Sequence, residues 1–218
     1  MNKLVYAFVW TAFLFFACKQ SEKQEAVLVA DGLPYYQDPS FTPFWFTKQQ
    51  LPDTIHRIPA FDFLNQNGVT ITRDSIEGKI AVVDFFFTKC PGICPKLAKH
   101  MRMVLDSCQN DQQVVLLSHS VTPEYDTGKV LQEYAQRVGA VTGQWHLLTG
   151  DKKAIYTIAR KSYFADEDLG LQKNENDFLH TENLILLDRQ QHIRGVYKGT
   201  NWAEVQQLIA DIKTLSKE

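Results

Sequence analysis

The chain has no surplus of positive charge. Its 218 residues carry 23 Lys and Arg against 25 Asp and Glu, a formal net charge of -2. No basic patch with interleaved aromatics appears, so no nucleic-acid partner is expected. No segment repeats, which argues against a solenoid or a propeller. The longest apolar stretch, residues 4–17, falls short of the roughly 20 residues a membrane-spanning helix needs. Cysteine is scarce too. There are four, at positions 18, 90, 94 and 108, and each needs its own account.

The first of them belongs to the N-terminal segment. Met1-Asn2-Lys3 precedes the apolar stretch, and Cys18 follows Ala17 directly. One positive charge and an apolar run of this length read as a secretion signal. A small residue before Cys18 suggests a bacterial lipoprotein whose lipidated N-terminus would be Cys18. An uncleaved anchor is the alternative. Either way the remainder is expected outside the cytoplasm, in a cell envelope, held at a membrane. The expected organisation is residues 1–18 as signal or anchor, 19–56 as tether and aromatic strap, and 57–218 as one globular domain. A hydrophobic content of 44% is enough for an ordinary core. The strap is rich in rings, among them Tyr35, Tyr36, Phe41, Phe44, Trp45 and Phe46. Packing on the domain surface accounts for them better than a partner-binding motif.

The second and third cysteines form the informative feature. The apolar run Ile80 to Phe87, a buried-strand pattern, empties into Thr88-Lys89-Cys90-Pro91-Gly92-Ile93-Cys94-Pro95, and a helical pattern follows from Leu97. Two thiols at a strand-to-helix turn can cycle between dithiol and disulfide, or hold a soft metal ion. If Cys94 occupies the first helical turn, the unpaired N–H groups and the helix dipole favour its thiolate. An oxidising compartment would close the pair, so a periplasmic thiol reductant is implied as a partner in both cases. Cys108 falls in step with Leu97, Met101 and Val104 and reads as a small buried hydrophobe.

The remaining pattern alternates strands and helices. Phe61–Leu64 and Val69–Ile71 flank Asn65-Gln66-Asn67-Gly68, a hairpin signal. Strands are expected at Val114–Leu117 and Trp145–Leu148. Helices are expected from Thr127 to Val138 and from Asp151 to Tyr163. Leu184–Leu187 and Ile193–Tyr197 suggest a strand pair, and Trp202–Leu215 a closing helix with Asn201 as N-cap. This describes an α/β sandwich of the thioredoxin type, with an N-terminal β-hairpin extension and a loop insertion before the final hairpin.

At this point the cysteine segment, Phe87 to Pro95, resembles the signature of the Sco/SenC family. Asp62–Thr70 with Glu77-Gly78-Lys79, Val121 to Thr127, Trp145 to Gly150, and His180-Thr181-Glu182-Asn183-Leu184 resemble other family segments in the same order. The resemblance implies a membrane-anchored, thioredoxin-like protein that assembles the copper centre of cytochrome c oxidase. It implies copper, as Cu(I) or Cu(II), held by Cys90, Cys94 and the distal His180, and an acceptor in the oxidase's copper-bearing subunit. The rival is a membrane-anchored thiol–disulfide oxidoreductase in which Cys90 and Cys94 cycle. There Asp84, six residues before Cys90 and similar to the buried aspartate of thioredoxins, would relay a proton. A hydrogen-bonded or strand-edge acid is the plainer role for Asp84. The chain departs from the family at Thr122, where an acid is usual. Among the other histidines, His119 is an outside candidate, His146 is expected to be structural, and His56, His100 and His192 are expected at the surface.

Overall fold

The computed structural model describes residues 32–46, 50–109, 111–165 and 181–218. Its elements run in the order read from the sequence. Strand β1 (Asp62–Asn65) and β2 (Thr70–Thr72) form the hairpin. The Asn65 carboxamide oxygen accepts from the backbone N–H of Asn67 and Val69, and Gly68 takes φ +73 to close the turn. A short 3-10 turn leads into β3 (Ile80–Phe86), whose seven residues are all buried. Then come α1 (Cys94–Ser107), β4 (Val114–Ser120), α2 (Gly128–Val138), β5 (Trp145–Thr149) and α3 (Lys152–Lys161). The chain closes with β6 (Asn183–Leu187), β7 (Ile193–Lys198) and α4 (Trp202–Leu215).

Among the described residues the strands form one mixed sheet in the order β2-β1-β5-β4-β3-β6-β7. The central β3, β4 and β5 are parallel, and such strands, covered on both faces, read as nearly continuous apolar runs. Their alternation splits the core in two. Ile80, Val82 and Phe86 face a cluster built with α1, α2 and α4. Ala81, Val83 and Phe85 face the other cluster, with α3. The expected mixed α/β architecture is therefore present.

The helix ends follow local chemistry. Asn201 caps α4 by accepting from Ala203 N–H at 3.0 Å, and Asp151 caps α3 by accepting from Ala154 N–H at 2.8 Å. Helix α2 stops at Gly139, which takes the left-handed conformation. Strand β4 runs three residues beyond the expected Leu117. Ser118, His119 and Ser120 look like a loop by composition, but they pair in register with Asp84, Phe85 and Phe86 of β3. Tertiary pairing overrides the polar pattern there.

Part of the strap packs on the domain, through Tyr35, Tyr36 and Phe41, while Phe44 and Trp45 stay exposed. Tyr35 pairs with Phe44, and Tyr36 N–H donates to Ile193 O at 3.0 Å on the outer strand β7. The strap thereby covers an edge that would otherwise be open. Beneath it Arg194 is buried, pairing with Asp188 and Glu218 and lying 4.0 Å from the Tyr35 ring centre. The expected N-terminal signal and Cys18, and the insertion before the final hairpin, fall on residues outside those described. Among the described residues no helix is long and apolar enough to cross a membrane.

Candidate thiol site at the end of β3

The two cysteines meet where β3 ends. Cys90 N–H donates to Phe87 O at 3.2 Å, which tightens the loop into the first turn of α1. Cys94 is the first residue of the helix, and Pro95 follows at a position where a missing N–H costs nothing. Both thiols are free, and each shifts the other's titration.

Their environments differ. Cys94 is buried, only 5% exposed, in the cluster that includes Phe86 and Leu97. Burial pushes its thiol up to about 12, and the Cys90 sulfur and the Asp84 carboxylate add to the rise. Cys90 is partly open to solvent. What burial it has would raise its pKa, but hydrogen bonds from the Cys94 thiol and from the N–H groups of Cys94, Gly92 and Ile93 outweigh that and lower it. The helix start therefore lowers Cys90, not Cys94 as its place in the first turn suggests. The free amides of the turn aim at Cys90, whereas the side chain of Cys94 turns inward against the sheet.

Asp84 lies behind the pair, buried on the face of β3 that meets α1. Its carboxylate accepts from Ser118 Oγ, and Ser118 Oγ in turn accepts from Trp145 Nε1 at 2.9 Å. Burial lifts the Asp84 carboxyl to about 7, opposed by the Ser118 hydrogen bond. It is a hydrogen-bonded interior acid rather than a strand-edge one, and its charge reaches Cys94.

A second acid, Asp126, carries no signal in the sequence pattern. It is fully buried and accepts from Ser120 Oγ at 2.6 Å, Thr122 Oγ1 at 3.0 Å, Thr88 Oγ1 at 2.5 Å and Thr88 N–H at 3.3 Å. Two residues from Cys90, Thr88 is thereby tied to the loop after β4. Asp126 has no periodic signature, and its partners are scattered from 88 to 122, so only the fold reveals the cluster. It also explains Thr122. A hydroxyl there donates to Asp126, whereas an acid would set two carboxylates against each other.

The histidines are redistributed. His100 is buried, against expectation, because its Nδ1 bonds Gly199 O at 2.6 Å and its ring packs near Trp202. His192 is buried as well, beside Asp188 at 3.2 Å. The partners of both come from the way the last hairpin and α4 pack, which the sequence pattern does not display. His146 is interior, with Asn65 Nδ2 at 3.2 Å from its Nδ1. Half-buried His56 bonds Ser162 O at 2.8 Å, so it is less exposed than a surface residue. His119 is wholly buried on the α3 face among Phe61, Phe63, Phe85 and Tyr163, away from the thiols. Cys108 is buried as expected, its thiol donating to Val104 O at 3.1 Å.

His180 lies outside the described residues, and among those described no third His, Cys, Asp or Glu joins the cysteines in a metal-holding group. Strand β6 begins just after it. The pairing of Val83 with Ile185 sets the start of β6 beside the end of β3. Gly199 links this corner to α1. Its N–H donates to Glu182 O at 2.8 Å, and a Cβ there would come within 2.5 Å of Leu97 Cδ2.

Comparison with known proteins agrees with this geometry. The family model described as SCO1/SenC matches residues 49–217. A SCO1 protein homolog from Bacillus subtilis (strain 168) is 28% identical over 171 residues, covering 77% of this chain and 88% of its own length. The structure of BsSco, described as a member of the Sco family of cytochrome c oxidase assembly proteins with a disulfide switch, superposes with TM-score 0.63 at 26% identity. It covers 78% of this chain and 99% of its own. Bradyrhizobium japonicum ScoI, solved with copper bound, gives TM-score 0.57 at 25% identity, covering 71% and 96%.

Proposed function

The chain belongs to the SCO1/SenC family, and from that premise we propose that it is a copper metallochaperone. One copper ion, its cargo, is held by the Cys90 and Cys94 sulfurs and by His180. It passes to the copper-bearing subunit of cytochrome c oxidase or a related acceptor. The observation that carries this reading is the pair of free thiols at the end of β3, near enough for each to shift the other's titration. Two thiolates with an imidazole make a soft, low-coordinate set suited to Cu(I). The copper-bound relative and the oxidase-assembly relative support the cargo and the destination. For His180, support comes from its place just before β6, the strand that lies beside β3. The N-terminal segment with Cys18 supports an extracytoplasmic, membrane-anchored location.

The half-open Cys90 gives an acceptor access to the metal, and ligand exchange can begin there while Cys94 still holds it. In the reduced full chain, His180→Ala is expected to weaken copper binding at least about tenfold and to alter the Cu(II) absorption spectrum. Unchanged affinity and spectrum would remove His180 from the site.

A second reading rests on the unequal exposure of the two sulfurs. As a thiol–disulfide oxidoreductase, the Cys90 thiolate would attack a partner's disulfide and form a mixed disulfide. Cys94, losing its proton, would then displace the partner as a dithiol. The partner gains two electrons, the chain keeps a Cys90–Cys94 disulfide, and a thiol reductant restores it. Buried behind Cys94, Asp84 is placed to accept that proton. Asp84→Asn slowing disulfide exchange with copper affinity intact would favour this reading, and equal exchange rates would count against it.

A further inference from the structure

An open groove of about 560 Å³ lies between α1 and α2, with Cys90 in its wall. Phe87, Tyr134 and Val138 supply apolar surface, and Lys99, Arg102 and Arg137 supply positive charge. Among the described residues no acid lines it. The charge reflects a bias in the sequence. Lys89, Lys96, Lys99 and Arg102 fall between Asp84 and Asp106 with no acid among them, in a chain whose formal net charge is -2.

The cations are not equally committed. Arg102 pairs with Asp106 at 2.8 Å and donates to Gly139 O, so it holds α1 to the end of α2. Arg137 lies 4.7 Å from the Tyr134 ring centre, a contact that orients it without neutralising it. Among the described residues, neither Lys99 nor Arg137 has an acidic partner.

We propose that this groove docks an extended acidic segment of the protein partner that exchanges with Cys90. The proposal rests on the reading of Cys90 as the exchanging thiol. The volume has room for a few residues of peptide. Apolar walls take an aliphatic or aromatic side chain, and the two uncommitted cations face carboxylates. Positive charge here steers an acidic partner toward Cys90, the more exposed sulfur of the pair, a rate and specificity effect more than an affinity one.

The test titrates the reduced full chain with short, cysteine-free fluorescent peptides of one length. One carries Glu and Asp around a Phe, one has Lys in place of the acids, and one has Gln. At low salt the acidic peptide should bind at least about tenfold more tightly than the lysine peptide, with the advantage fading as salt rises. Lys99→Glu with Arg137→Glu should abolish that preference. The same charge change on α3, Lys153→Glu with Lys161→Glu, should leave most of it. Equal binding of all peptides, or equal loss from both reversals, would overturn the proposal. So would acidic-peptide binding that appears only after Asp166, Glu167 and Asp168 are neutralised, since the groove would then serve the chain's own acidic stretch. Alkylation of Cys90 by neutral iodoacetamide separates the two claims. A Cys90 that fails to alkylate sinks the exchanging-thiol reading, while peptide binding still decides the groove.

Discussion

Asp84 and His119 sit one rung apart on paired strands and on opposite faces of the same sheet, and they are buried in opposite ways. Asp84 faces α1 and the thiols, and it keeps a hydrogen bond from Ser118, itself held by Trp145. His119 faces α3 inside a ring of aromatics, and neither of its nitrogens has a hydrogen-bond partner among the described residues. A buried polar group without a partner costs free energy. Near the thiols a connected network offsets part of that cost. On the far face it is stored as sensitivity to acid.

The largest expected effect lies on the unpartnered side. Burial holds His119 down at about 3, below its ordinary value of 6.5. Between those values the unfolded chain binds a proton that the folded chain refuses. Stability is therefore intact above pH 6.5 and falls as pH drops toward 3, by up to about 1.4 kcal/mol per pH unit. His119→Leu should flatten this part of the profile in urea unfolding run at pH 7, 5 and 4. A variant as acid-sensitive as the parent would place the lability elsewhere.

The next effect sharpens the contrast with a buried acid that is fully partnered. Asp126→Ala strands donors from Thr88, Ser120 and Thr122. A loss of about 2–4 kcal/mol is expected, with faster hydrogen exchange at the Thr88 amide. Slow exchange retained at Thr88 would show that the cysteine loop does not need this anchor.

Asp84→Asn should do the reverse. The folded-state carboxyl titrates near 7, against 3.8 for its ordinary value. The folded chain thus holds the extra proton between those values, and the carboxyl's burden on stability grows as pH rises through them. At pH 7.5 the Asn variant should be more stable, by up to about 4 kcal/mol, with the gain vanishing near pH 4. A gain independent of pH, or a loss, would break the comparison.

The sheet was readable because its central strands are buried and mostly apolar, and the helices because their caps and apolar periods are local. The Cys90–Cys94 turn was readable from spacing alone. Which sulfur is activated was not, because that depends on whether the first helical side chain points into the turn or into the core. The burial of His100 depends on Gly199, ninety-nine residues away. The Asp126 cluster gathers four donor groups from the loop after β3, the end of β4 and the loop that follows it, so nothing along the chain marks it.

The central claim is that the Cys90–Cys94 pair holds copper. The most direct measurement is copper content per chain for the reduced full-length protein beside Cys90→Ala/Cys94→Ala, after equilibration with Cu(I) and removal of loosely held metal. One copper per parent chain and none in the double variant is the expected result. Copper retained by the double variant, or a reduced parent that holds none, would contradict it.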